Sequence, residues 1–179
     1  MTAVQHPTLW LTGLSGAGKT SIALALAQAL KAQGVAATVL DGDQLRHGLN
    51  RDLGFTPEDR HENIRRTAEV ARLMNSAGLT VIAAFISPYR ADRAMAAQII
   101  GTGQFIEIHV STPVAVCEAR DVKGLYAQAR AGQLAQFTGV SAPYEAPLAA
   151  ALTLDTQELA LEVSVERICR YLQQWRRQQ

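Results

Sequence analysis

The sequence predicts an α/β fold, a parallel sheet with helices on both faces, and three observations point to it. Short apolar runs of strand length alternate along the chain with longer amphipathic stretches. A glycine-rich turn joins the first run to the first amphipathic stretch. A chain of 179 residues, 48% hydrophobic and 18% charged, can bury one core and has no room for a second catalytic domain, so 1–179 is expected to form a single domain.

Strands are expected at residues 8–12, 36–41, 79–86, 105–110 and 152–155. After the first, Ile22, Leu26, Ala29, Leu30 and Gln33 recur at helical spacing, and Gly34 is placed to end that helix. The next long helix has an explicit start: Thr56 as N-cap, Pro57 at the first position, and Glu58 and Asp59 where the macrodipole favours them. Gly78 stops it. A last helix, about 157–175, carries Leu161, Val165, Ile168 and Leu172 on one side and Arg176 and Arg177 at its end, and is expected to pack on the sheet. Residues 121–148 differ, with Gly124, Gly132, Gly139, Pro143 and Pro147 around a short helical pattern at 126–131. They are expected to form a mobile lid followed by an ordered loop.

Lys plus Arg total 17 and Asp plus Glu 16, a net charge of +1, which offers no global field for nucleic acid or anionic lipid. Any anionic ligand must be caught locally. The longest apolar run, 79–86, falls far short of the roughly 20 residues of a membrane span. Residues 1–7 carry no basic and apolar leader pattern, so a cytoplasmic location is expected. Cys117 and Cys169 lack metal-ligand or redox spacing and are expected to be ordinary thiols on helices, and His6, His47, His61 and His109 show no metal spacing.

Gly13-Leu14-Ser15-Gly16-Ala17-Gly18-Lys19-Thr20 is a complete GxxxxGK[ST] P-loop between a strand and a helix, the context that the motif requires. Its glycines let backbone N–H groups turn toward phosphates, Lys19 reaches the β and γ phosphates, and the Thr20 hydroxyl ligates Mg²⁺. Asp41-Gly42-Asp43 ends the second strand, where carboxylates of an open α/β sheet face the ligand. Asp43 can accept the proton of an acceptor hydroxyl or hold water on Mg²⁺, whereas Asp41 either contributes to the site or caps the following helix.

Of 14 Arg, eight lie between residues 41 and 93, with no Lys among them. The guanidinium fork suits oxoanions, which suggests a phosphate or sulfate on the second substrate. On helical spacing Arg60 shares a face with Asn63 and Thr67, while Arg65 and Arg72 share another with Glu69. Arg46 and Arg60 are the favoured substrate contacts, with Arg65 and Arg72 solvated. Ser87, before Pro88 at the end of the third strand, either only forms a turn or touches the acceptor; in-line transfer needs no covalent role for it. Phe137 either stacks on a base or anchors its loop to the core.

The blocks GLSGAGKT, DGDQLRHGLNRDLGF, EDRHENIRR, FISPYR, FIEIHVSTP, CEARDVKGLYAQARAG, FTG and PYEAP follow one another over most of the chain. In this set and order the chain resembles the adenylylsulfate kinases. The resemblance implies a three-layer P-loop NTPase fold with sheet order 2-3-1-4-5, a lid, and a homodimer. It also implies transfer of the ATP γ-phosphoryl group, with Mg²⁺, to the 3′-hydroxyl of adenosine 5′-phosphosulfate. By resemblance, Asp43 lies near Mg²⁺ and the acceptor hydroxyl, Arg46, Arg60 and Asn63 hold the phosphosulfate, and Phe55 and Phe137 sandwich the acceptor adenine. Ile86, Ser87 and Lys123 line that site, with Asp41 also among the substrate-binding positions and Ser87 the family's proposed phosphoserine. ATP sulfurylase is the functional partner implied. Two departures stand out: Val122 where the family commonly has proline in RDPKG, and Ser141-Ala142 where it commonly has an acidic pair. A gluconate or shikimate kinase would share the P-loop but fits the Arg-rich stretch and paired Phe less well. Asp121-Val122-Lys123-Gly124 fits the DxxG pattern of GTP switches, but no NKxD motif follows.

Overall fold

A computed structural model describes residues 5–178. The first four residues, part of the stretch read as lacking a leader, lie outside the described residues, as does Gln179. The elements run β1 (Thr8–Thr12), α1 (Lys19–Ala32), β2 (Ala37–Asp41), α2 (Gly42–His47), α3 (Pro57–Ser76), β3 (Thr80–Ala84), α4 (Arg90–Ile100), β4 (Phe105–Val110), α5 (Val114–Arg120), α6 (Leu125–Arg130), β5 (Leu152–Leu154) and α7 (Leu161–Arg177).

All five strands are parallel, in the order β2-β3-β1-β4-β5, with β1 between β3 and β4. Side-chain alternation along the strands divides the interior into two layers. Leu9 and Leu11 of β1 and Ile106 and Ile108 of β4 face α1 and α7, packing with Leu26, Leu30, Ile168 and Leu172. Trp10, Val81 and Ala83 face the opposite way, toward Ile64 and Ala68 of α3 and Ala96 and Ile100 of α4. Because every strand runs the same way, Gly13, Asp41, Ser87 and Thr112 all emerge at one end of the sheet.

The caps expected from the sequence are present. Thr56 Oγ1 accepts the Asp59 N–H at 3.2 Å, with Pro57 opening α3. The turn at Gly34 lets Val35 N–H return to the Leu30 carbonyl at 2.9 Å, and Leu79 N–H returns to Met74 at 3.0 Å past Gly78. Two segments differ from expectation. The third strand ends at Ala84, because the chain from Ile86 is drawn over the end of the sheet: the Thr12 hydroxyl donates to the Ile86 carbonyl at 2.8 Å, and Ser87 adopts φ +38°. The last helix begins at Leu161, since Asp155 closes a turn by accepting from Gln157 N–H at 2.8 Å. As expected, that helix packs on the sheet, where Ile168 and Leu172 join the layer of Leu9 and Ile108, and it also lies along α1. Cys117 and Cys169 are free, buried thiols on α5 and α7.

Candidate active site

The converging strand ends open a cleft of about 580 Å³. Of the P-loop, Ser15, Gly16, Gly18, Lys19 and Thr20 line it, together with Asp41, Asp43, Arg46, Phe55, Arg60, Asn63, Ile86, Ser87, Lys123 and Phe137. Gly13, Leu14 and Ala17 stand behind the lining. A Cβ on Gly13 would meet the Val110 carbonyl oxygen at 2.4 Å, so only glycine lets the loop leave β1 this close to β4. Lys19 is buried, and its ammonium donates to the carbonyls of Gly13 at 2.8 Å and Leu14 at 2.7 Å. Burial without a carboxylate partner pulls its pKa down to about 8.

The two carboxylates of the DGD segment divide their work. Asp41 is buried, and both of its oxygens go to the protein: Oδ1 caps α2 by accepting the Asp43 N–H at 2.9 Å, and Oδ2 accepts from the Thr20 hydroxyl at 2.8 Å. Asp41 thus borders the cleft while holding Thr20 and the start of α2, the capping alternative combined with a positioning one. Asp43 is 63% exposed in the first turn of α2 and pairs with Lys123 from the segment after α5. Thr20, Asp41 and Asp43 present only hard oxygen atoms. Among the described residues no cluster of three or more metal-ligating side chains occurs. That donor set fits Mg²⁺, which keeps several waters and takes one or two protein oxygens beside substrate phosphates.

Across the cleft Arg46 and Arg60 converge on Phe55. The Arg46 guanidinium lies 4.3 Å from the Phe55 ring centroid and donates to the Gly54 carbonyl at 2.8 Å. Arg60 donates to the carbonyls of Phe55 at 3.0 Å and Gln136 at 2.8 Å. Neither forms a salt bridge among the described residues. Burial lowers both pKa values, and Arg46 is lowered further by the charge of Arg60. Two guanidinium groups close together, neither in a salt bridge among the described residues, form an arrangement that can take up a supplied anion. Asn63, buried beside them, accepts from Asn50 Nδ2 at 2.9 Å. Three other arginines of this stretch are engaged in ion pairs: Arg65 and Arg66 pair with Glu62, Arg66 also with Asp52, and Arg72 with Glu69.

Ser87 borders the cleft but turns its hydroxyl inward. Its Oγ accepts from the buried Trp10 Nε1 at 3.1 Å, and the residue is 2% exposed. This differs from the placement expected of a phosphoryl acceptor. The neighbouring Ile86 lines the wall with its side chain. Phe55 is 57% exposed, with the Arg46 guanidinium over its ring. Phe137 meets Tyr126 edge-on at 5.0 Å, so the anchoring alternative holds on one side of its ring while the residue also lines the cleft. Ser141, at one departure from the family pattern, accepts the Phe137 N–H at 3.0 Å and fixes that turn. Val122, the other departure, is exposed.

Several supports escaped sequence reasoning. Arg93 is buried, pairs with Glu107 at 2.6 Å and donates to the carbonyls of Ser87 and Glu145, tying the end of β3 to the PYEAP loop. Its signal was Glu107, an acid on the half-buried face of β4, alternating with the buried Ile106 and Ile108. Tyr126 donates to the Ser15 carbonyl at 2.9 Å, joining α6 to the P-loop.

The sequence profile of the adenylylsulphate kinases matches residues 5–155. The adenylyl-sulfate kinase of Shewanella amazonensis is 56% identical over 164 residues, 92% of this chain and 83% of that relative. The structure of the Mycobacterium tuberculosis APS kinase CysC in complex with AMPPNP and APS superposes with a TM-score of 0.92 at 42% identity, covering 94% of this chain and 98% of the other. A hexameric APS kinase from Thiobacillus denitrificans matches 96% of this chain and 29% of its own at 33% identity and a TM-score of 0.72. With a P-loop, two carboxylates and two arginines gathered in one cleft, the chain belongs to the adenylylsulphate kinase family.

Proposed function

We propose that this cleft transfers the γ-phosphoryl group of ATP to the 3′-hydroxyl of adenosine 5′-phosphosulfate, giving 3′-phosphoadenosine 5′-phosphosulfate and ADP, with the following division of labour. P-loop amides and Lys19 hold the β and γ phosphates, and Lys19 offsets charge developing on the bridging oxygen. Asp43 takes the proton from the 3′-hydroxyl as its oxygen bonds to phosphorus and the bond to the ADP oxygen breaks. Thr20 and Asp43 would hold Mg²⁺, with Asp41 orienting Thr20 through its hydrogen bond; bound there, the ion would supply neutralisation of phosphate charge. Arg46, Arg60 and Asn63 bind the phosphosulfate, while Phe55 and Phe137 flank the acceptor adenine, with Ile86, Ser87 and Lys123 completing the wall. Residues 121–148 act as the lid, and 1–179 functions as one kinase domain. A homodimer, an ATP sulfurylase as supplier of the acceptor, and a cytoplasmic setting suited to two buried thiols complete the proposal. Among the described residues no helix is long and apolar enough to cross a membrane.

The observation that carries the acceptor assignment is the pair of unpaired guanidinium groups, Arg46 and Arg60, about an exposed Phe55 in the same cleft as the P-loop. A coupled assay tests it: ADP release from Mg-ATP must depend on adenosine phosphosulfate, and release without acceptor, or equal release with gluconate, refutes it.

The lowered pKa of Lys19 adds a linkage prediction. Phosphate favours the ammonium form, so the pKa rises on binding and the complex takes up a proton above pH 8. Calorimetry at pH 8.5 in buffers of different ionisation enthalpy is expected to show uptake of more than about half a proton per ATP, vanishing at pH 6.5 and in Lys19→Met. Affinity should fall as pH rises through about 8.

Ser87→Ala is expected to retain at least about a tenth of wild-type turnover, because transfer passes directly between bound substrates. It should lose about 1–3 kcal/mol of stability, since Trp10 Nε1 is left buried without its acceptor. Near-total loss of turnover, with phosphoserine trapped in the wild type, would overturn this expectation.

A further inference from the structure

We propose that Thr156 is a positioning residue for phosphoryl transfer: its hydroxyl holds the Ala17–Gly18 peptide so that the Gly18 N–H faces the phosphates. The proposal goes beyond the site residues named above and rests only on the phosphate-binding role of the P-loop. Thr156 follows β5, far from the motif in sequence, yet its Oγ1 donates to the Ala17 carbonyl at 2.9 Å. Ala17 is fully buried and lies immediately before Gly18, the N-cap of α1. In a planar trans peptide the C=O and the following N–H point in opposite directions. Fixing the Ala17 carbonyl against Thr156 therefore sends the Gly18 N–H away from Thr156, to the side on which Gly18 lines the cleft.

Such a fixing is needed because Gly18, at φ +103°, has no side chain to choose between the two orientations of the peptide before it. The flipped form would aim a carbonyl oxygen, rather than a donor, at a phosphate. The hydroxyl is itself oriented from three sides. Arg120 Nη1 donates to Thr156 Oγ1 at 2.7 Å and Nη2 to the Thr156 carbonyl at 3.0 Å. The Thr112 hydroxyl, 2.8 Å from Thr156 Oγ1, donates to the same Ala17 carbonyl at 3.1 Å, and Thr112 Oγ1 accepts the Thr156 N–H at 3.2 Å. With Arg120 donating a hydrogen bond to Thr156 Oγ1 and the Thr112 hydrogen directed to Ala17, the Thr156 hydroxyl hydrogen points to Ala17 as well. The methyl group of Thr156 closes the same corner, 3.2 Å from where a Cβ on Gly18 would stand.

The test separates hydroxyl from methyl. Thr156→Val keeps the shape and deletes the donor, while Thr156→Ser keeps the donor and deletes the methyl. Thr156→Val is expected to lower kcat/KM for ATP about 10- to 100-fold and weaken ADP binding in calorimetry, with KM for adenosine phosphosulfate within about twofold of wild type. Thr156→Ser should stay within about threefold on every measure, with thermal melting followed for both variants. Wild-type kcat/KM for ATP in Thr156→Val overturns the proposal, as does equal damage from Thr156→Ser. If Thr156→Val does not fold, Thr112→Val decides: it should raise KM for ATP at least about threefold, and an unchanged value overturns the proposal. ADP affinity is measured without acceptor, so a wrong acceptor assignment would leave this result standing.

Discussion

Replacing Lys19 by alanine is expected to lower kcat about 10³-fold, a rise in barrier of ~4 kcal/mol, with the fold intact. Phosphoryl transfer gives the protein little covalent chemistry to do; the rate comes from donors and charges already aimed at the oxygens where charge accumulates. Lys19 is held for this at the base of the loop by two backbone carbonyls. Its burial disfavours the ammonium in the folded chain, so removing it should leave Tm within about 3 °C of the wild type. Steady-state kinetics beside a melting curve checks both halves. A variant that turns over within tenfold of wild type would show that the amides alone suffice.

The second large effect is expected at Asp43. Asp43→Asn keeps size and hydrogen-bonding capacity but cannot take the hydroxyl proton, and should reduce kcat about 10²- to 10⁴-fold while leaving KM for ATP within about threefold. Asp43 also pairs with Lys123, so an alternative is that it merely latches the segment after α5. Lys123→Ala separates the two. If latching were the whole role, it would match Asp43→Asn; a general base predicts that its loss stays below about tenfold. The pair is largely exposed, which fits a contact that forms and breaks during turnover.

What could be read in advance followed the range of the interactions involved. The P-loop, the Thr56 cap and the amphipathic face of α1 depend on residues within a few positions of one another, and their spacing alone announces them. The apolar run of β1 is equally local, although the division of Leu9 and Leu11 from Trp10 between the two layers emerges only in the fold. Arg93, by contrast, acts through Glu107 and the carbonyls of Ser87 and Glu145, partners that only the folded sheet brings together. Ser87 was legible as a residue beside the site, but the direction of its hydroxyl depends on Trp10, 77 positions away. Asp41 combines both ranges: its cap on α2 is local, and its bond to Thr20 crosses from β2 to α1. Among the arginines the helical spacing separated Arg60 from the solvated Arg65 and Arg72, yet could not show that Arg60 would itself bridge to Gln136.

That bridge makes Arg60 a caliper. One planar guanidinium spans the carbonyl of Phe55 and the carbonyl just before Phe137, so the backbone beside each of these rings is tied to one rigid group. If the acceptor base enters between the two rings as proposed, a spacing held this way would select by thickness, admitting a flat ring and refusing a puckered sugar with no hydrogen bond to the ring edge. A lysine at this position would keep the charge and lose the gauge.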